Sequence, residues 1–274
     1  MTWAVYLNET ALDTLGVYVE DMGTRVSAPQ RNYASVQIPG RQGAVLSGEP
    51  VTAERRLVLT ASIDPAARTV AALVSAQDTL KALAYRALVK IVADDDTTAP
   101  RQIDGVCESC EITPVVHPMV TQVARATLTI RCPDPTWYDV TGQLIGFSST
   151  ASAIPLGTAP SGGIVRIAAP SWSANVVDPV LTYLNAAGVT VETLSFTGTL
   201  TAGTDYLEID LDRCTVTEYA SGTASNAISW LSSGDFFALD AMDGDPLNTS
   251  YPQLKVTATS GTPSGTWAGV RRWL

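Results

Sequence analysis

A mainly β fold is predicted for this 274-residue chain, with an α+β first half and an all-β second half. Three observations predict it. Apolar residues alternate at period two through most of the chain, and a three- and four-residue spacing is sustained only once, near residues 65–85. Twenty Gly and sixteen Pro punctuate short apolar runs, as they do between strands. The texture also changes after Arg131-Cys132-Pro133-Asp134-Pro135-Thr136-Trp137-Tyr138, where helical spacing disappears and Gly, Ser and Thr rise. The boundary is therefore placed between domains 1–140 and 141–274, each long enough to bury its own core.

The elements follow in chain order. Trp3, Val5 and Leu7 alternate with Ala4 and Tyr6, and Leu15–Val19 repeats the pattern, so both read as strands. Residues 25–43 form a polar stretch ending in Pro39-Gly40-Arg41-Gln42-Gly43, where Pro and Gly supply the two central dihedrals of a type II turn. Leu57, Leu59, Ala61 and Ile63 share one face of a strand over 55–63. Asp64-Pro65 then predicts a helix start, with Asp as N-cap and Pro at the first helical position. Val70, Leu73, Val74, Leu80, Leu83 and Ala84 give that helix one apolar stripe, which fits a helix lying across a sheet. Leu88–Val92 is a strand, and Ile103–Val116 and Val120–Cys132 are strands joined around His117-Pro118. In the last of these, Ala124, Ala126, Leu128, Ile130 and Cys132 face one way and Arg125, Thr127, Thr129 and Arg131 the other, as in a half-buried antiparallel sheet.

The second half begins with a connector over Ser148–Gly163. Strands are predicted at Gly163–Ala168, Pro179–Leu184, Val189–Phe196, Asp205–Leu211, Cys214–Tyr219, Phe236–Leu239, Gln253–Ala258 and Thr266–Trp273. Turn pairs such as Ala187-Gly188, Ala202-Gly203 and Ser221-Gly222 separate them. About eight strands of this length are the complement of a β-sandwich of jelly-roll or lectin type.

Composition narrows the function. A hydrophobic share of 46% against 16% charged describes a folded chain. The net charge is −10, and both halves contribute: residues 1–140 carry 12 basic and 16 acidic side chains, residues 141–274 carry 5 and 11. Without a basic stripe there is nothing to neutralise a row of phosphates, so no specific nucleic-acid binding is expected. An acidic surface suits a protein past which DNA slides without sticking, although the same charge also serves plain solubility. The start Met1-Thr2-Trp3-Ala4 has neither basic nor apolar signal character, and no apolar run approaches the roughly 18–20 residues of a bilayer span, so assembly in a cytoplasm is expected.

Chemistry-bearing constellations are sparse. Cys107-Glu108-Ser109-Cys110 is a CxxC, and with His117 and Cys132 it holds zinc-type ligands, but the spacing matches no zinc module and ordinary thiols beside a strand are the better reading. Asp94-Asp95-Asp96 lacks the alternate spacing and distant Glu of a calcium loop and reads as a solvated turn. A triad could use only His117, the single histidine, and no GxSxG, phosphate loop or GxGxxG accompanies it. The clustered Asp205, Glu208, Asp210 and Asp212 fall mostly on the wet face of a strand rather than in a carboxylate pair for hydrolysis. Trp172, Trp230, Trp267 and Trp273 are candidates for stacking on sugars, though such residues more often fill a core or an interface. No catalytic, cofactor-binding or metal site is assigned, and no enzyme is expected.

Several of these segments also resemble one family when taken in order. The N-terminal pattern, the turn at 39–43, the helix opened by Asp64-Pro65, the closing run Cys132–Tyr138, Leu200-Thr201-Ala202-Gly203-Thr204-Asp205-Tyr206-Leu207-Glu208-Ile209-Asp210 and Ser233-Gly234-Asp235-Phe236-Phe237 are together similar to the distal tail proteins of long, non-contractile-tailed bacteriophages. The resemblance implies a β-barrel-like N-terminal domain with one helix across it and a galectin-like C-terminal β-sandwich. It implies a homo-hexamer whose ring surrounds a channel for DNA at the distal end of the virion tail. The partners implied are the tail tube protein, a tail tip or tail-associated protein and receptor-binding proteins, with no cofactor and no membrane insertion. A carbohydrate-binding adhesion module contacting the host surface is the alternative.

Overall fold

The computed structural model describes residues 4–22, 31–37, 44–94, 100–115, 123–240 and 250–273. The predicted turn at 39–43, the His117-Pro118 connection and the carboxylates Asp95 and Asp96 lie outside the described residues. The fold is mainly β, and the chain divides into two compact units, Met1–Val140 and Thr141–Trp273.

In the first unit one antiparallel sheet runs, in spatial order, through Thr10–Ala11, Ala4–Leu7, Val89–Asp94, Arg101–Pro114, Ala124–Cys132, Arg55–Ile63 and Val17–Asp21. The sheet curls because its longest strand, Arg101–Pro114, changes partner midway. Up to Gly105 it pairs with Val89–Asp94, and from Val106 onward it pairs with Ala124–Cys132. Gly105 permits that corner: a Cβ there would lie 2.7 Å from Ile130 Cγ2 and 2.8 Å from the Arg131 carbonyl. The alternation read from the sequence is present, with Ala124, Ala126, Leu128, Ile130 and Cys132 buried and Arg125 and Arg131 exposed. Arg31–Gln37, inside the stretch the sequence presents as polar, pairs with Ala44–Thr52, which follows it, in a separate two-stranded ladder.

The helix is there but shorter, Val70–Ala84, and Asp64-Pro65 does not open it. Asp64 N–H donates to the Gly16 carbonyl at 2.8 Å, and Arg68 N–H donates to the Pro65 carbonyl at 2.9 Å, which closes a turn instead. Arg68 sits at φ +44°, outside helical space, and the chain re-enters it only after Thr69. Thr69 is extended, and its hydroxyl accepts from Ala72 N–H at 3.1 Å, so Thr69 is the N-cap. The buried stripe also differs from the predicted one. Leu73, Ala76, Leu80, Leu83 and Ala84 face the sheet, whereas Val70 and Val74 are 64% and 48% exposed.

The second unit is a β-sandwich. One six-stranded antiparallel sheet runs Gln143–Phe147, Ser264–Gly269, Ile164–Ala168, Tyr206–Asp210, Thr215–Ala220 and Thr223–Asn226. The other runs Ser152–Ala153, Gln253–Ser260, Val176–Leu184, Thr190–Phe196 and Leu231–Ser233, with Thr199–Leu200 added beside Val176–Leu184. Val165, Leu207 and Trp267 from the first sheet share one buried cluster with Leu181, Phe196 and Val256 from the second. Burying both inner faces against each other is what lets short strands of modest propensity hold. The strand predicted at Phe236–Leu239 is not one: Leu239 makes a single bridge to Ser161, and the paired strand is Leu231–Ser233. Thr223–Asn226 forms a further strand without apolar alternation, since all four residues are exposed.

Candidate functional site

Among the described residues, the cysteine and carboxylate candidates take structural roles, while His117, Asp95 and Asp96 lie outside the described residues. Cys107 and Cys110 lie on Arg101–Pro114, opposite Ile130 and Leu128, and a bulge between Cys107 and Ser109 re-phases the strand so that both face the helix-covered side. Cys132 pairs with Arg55 across the next strand. Burial raises all three thiols above their ordinary range, Cys132 to about 12 despite the opposing pull of the Arg55 guanidinium. They are therefore protonated at neutral pH, which suits neither a zinc ligand nor a nucleophile. Among the described residues no three His, Cys, Asp or Glu side chains converge on a metal position.

The four clustered carboxylates are divided among four jobs. Glu208 accepts from Arg166 Nε at 2.7 Å across the sheet. Asp210 accepts from the backbone N–H groups of Asp212 and Arg213 and closes the turn that follows its strand. Asp212 accepts from Gly163 N–H. Asp205, 7% exposed, holds the loop the sequence marks as Leu200–Tyr206. It accepts from Thr201 N–H at 3.0 Å, from the Thr204 hydroxyl at 2.9 Å and from Ser221 N–H at 3.0 Å. Within that loop Gly203 adopts φ +80° and donates to the Ala169 carbonyl at 2.7 Å. Burial pushes the Asp205 carboxyl up, but the bonds from Thr201, Thr204 and Ser221 outweigh it and leave the group below its usual value.

The tryptophans separate in the same way. Trp267 is fully buried, with its Nε1–H donating to the Gly162 carbonyl at 2.8 Å. Trp230 packs against the sandwich core, and Trp273 lies under the Arg271 guanidinium at 5.6 Å from the ring centroid. Only Trp172 of the four is freely exposed, at 74%.

The first unit carries exposed apolar surface beside its helix. Val17–Asp21 stands at the edge of the described path of the sheet. Such an edge is a template for another chain. Val70 and Val74 lie on the outer side of the helix, and Tyr85 and Leu88 are exposed just beyond its end at 61% and 55%. That is more apolar exposure than one short helix needs for itself. On the outward side of the sheet Arg125 meets Glu20 at 2.9 Å, while Arg56 and Arg131 both approach Glu108, at 3.4 and 3.8 Å. Each exposed pair contributes little stability, about 0–1 kcal/mol, but together they leave these arginines matched rather than offered to phosphate.

Neither a protein-family model nor a curated protein matches the sequence. Solved structures do. The SPP1 Dit protein, described as a paradigm of the hub adsorption apparatus in phages infecting Gram-positive bacteria, aligns over 100% of both chains with a TM-score of 0.73 at 17% identity. The chain has the fold of a phage distal tail protein. A chain of the phage P2 baseplate in its activated conformation aligns over 97% of this chain and 98% of its own, at 10% identity and a TM-score of 0.44.

Proposed function

We propose that this chain is a structural component of a bacteriophage tail, located at its distal end, where copies close into a hexameric ring that joins the tail tube to the tail tip and leaves a channel for DNA. The single observation that carries the proposal is the full-length correspondence of both units, in order, with the fold of the SPP1 Dit protein. Three features of the chain agree with it. Among the described residues the sheet of the first unit ends at Val17–Asp21 and its helix has an exposed apolar side, and both would be covered by neighbours in a closed ring. The net charge of −10 disfavours DNA adhesion to a channel wall. The tail tube protein, a tip protein and receptor-binding proteins are the partners such a hub connects.

Native mass measurement of the purified chain tests the ring. The expected particle contains six copies of the 28.9 kDa chain. A strictly monomeric chain, both alone and mixed with its tail tube protein, would contradict it. The double substitution Val70→Glu and Val74→Glu is expected to convert the hexamer to monomer while changing unfolding free energy by less than about 0.5 kcal/mol, because both positions are exposed in the single chain. A variant that still assembles would remove the helix side from the interface.

A further inference from the structure

The outward face of the sandwich sheet that includes Ile164–Ala168 carries a polar and aromatic surface. Register places Thr266, Arg166, Glu208, Thr217 and Asn226 in one row across five strands. The adjoining row holds Ala168, Tyr206, Tyr219 and Ala224. The alternate residues of these strands, including Leu207, Ile209 and Val216, are in the core, so both rows face outward.

The two tyrosine rings stack with centroids 4.5 Å apart and an interplanar angle of 11°. Arg166 comes from the strand on the other side of Tyr206, with its guanidinium carbon 5.4 Å from that ring's centroid and Nε bonded to Glu208 at 2.7 Å. The stack thus runs Arg166, Tyr206, Tyr219 across three strands. On the next strand Tyr219 faces Ala224, a side chain too small to cover an aromatic ring. A depression of about 450 Å³ lies beside the row of Thr217 and Asn226, lined by residues 214–217 and 224–226 and by Ile228; Tyr219 flanks it in sequence rather than lining it. That is within the size range of small-molecule sites. Asn226 Oδ1 accepts from Ile228 N–H at 2.9 Å, which fixes the amide and leaves its NH2 group to donate.

We propose that this face binds a neutral oligosaccharide, with a pyranose ring on the uncovered side of Tyr219 and its hydroxyls bonded to Asn226, Thr217 and Glu208. The chemistry selects the ligand class. A sugar presents an apolar face to an aromatic ring and hydroxyls that both donate and accept, which is what amide, hydroxyl and carboxylate side chains together satisfy. The only cation in the two rows, Arg166, is matched by Glu208, and the chain carries a charge of −10, so an anionic glycan would be repelled. The sandwich fold by itself confers no such property; the residues at this position do. The inference does not depend on the ring, since every residue it uses belongs to the second unit.

Saturation-transfer NMR on the full chain with lactose, maltotriose and tri-N-acetylchitotriose, each separately, tests it. At least one is expected to bind saturably with a Kd on the order of 1 mM or tighter. Tyr219→Leu and Asn226→Asp should each weaken that binding at least about tenfold, whereas Trp172→Ala should leave it unchanged. Asn226→Asp keeps the acceptor for Ile228 N–H, so it decides the matter should Tyr219→Leu lower the thermal midpoint. No saturable binding of any of the three sugars, binding unmoved by Asn226→Asp, or binding lost in Trp172→Ala would overturn the proposal.

Discussion

Replacing Trp267 with Ala is expected to cost the second unit about 4 kcal/mol, the range for truncating a large buried aromatic. Trp267 is fully buried and belongs to the sandwich's shared core, so its removal leaves a cavity that two facing sheets cannot close. It also leaves the Gly162 carbonyl without its indole donor, a further penalty for a buried acceptor. The backbone around it is fitted to the ring: a Cβ on Gly269 would lie 2.3 Å from Trp267 Cζ2. Urea unfolding followed by far-UV circular dichroism checks the expectation, with Trp172→Ala as the comparison. Trp172 is 74% exposed, so its truncation should change stability by less than about 0.5 kcal/mol. Equal effects from the two substitutions would contradict the assignment of one to the core and the other to the surface.

Asp205→Ala is expected to cost about 3 kcal/mol, because one buried carboxylate serves two backbone donors and a hydroxyl. The loss should appear as a drop of roughly 10 °C in the thermal midpoint of the second unit, given its size. Asp205→Asn should recover only part of it, since an amide offers one acceptor oxygen where the loop engages two. The pH dependence has a definite sign. The carboxyl is held below its usual value in the folded chain, so the ionised group stabilises fully above the unfolded-state pKa near 4. That contribution fades as pH falls through the lower, folded-state value. The gap in midpoint between the natural chain and Asp205→Ala should therefore be widest at neutral pH and narrow in acid; a gap that widens in acid would show that the carboxylate is not what ties the loop.

Much of the fold was legible wherever burial was one-sided. The strand Ala124–Cys132 could be read residue by residue because its period-two pattern is set by a buried and a wet face. The helix was legible in its second half, where Leu80 and Leu83 recur against the sheet, and misleading in its first. Asp64-Pro65 is a good capping signal locally, but Gly16 takes the Asp64 N–H and Arg68 adopts a positive φ, both tertiary outcomes that spacing cannot carry. Val70 and Val74 continue the apolar stripe in the sequence, yet they lie on the exposed side, a distinction that pattern alone does not carry. Thr223–Asn226 went unread because an edge strand with no buried residue has no alternation to show.

Residue roles divided along the same line. Asp205 was noticed as one of four clustered carboxylates, whereas its work depends on Ser221, 16 residues away, which no local motif announces. The Tyr206–Tyr219 stack was invisible for the same reason, since it exists only through the register of two strands. The tryptophans drew attention as possible sugar platforms; the fold places Trp230 and Trp267 against or in the core and leaves the outward polar rows, rather than those rings, as the surface with matching chemistry.

Location on the particle tests the central claim most directly. Immunogold labelling of intact phage with antibody against this chain should place gold at the distal end of the tail, at the junction of tube and tip. Label confined to the capsid, or spread evenly along the tail shaft, would contradict the account.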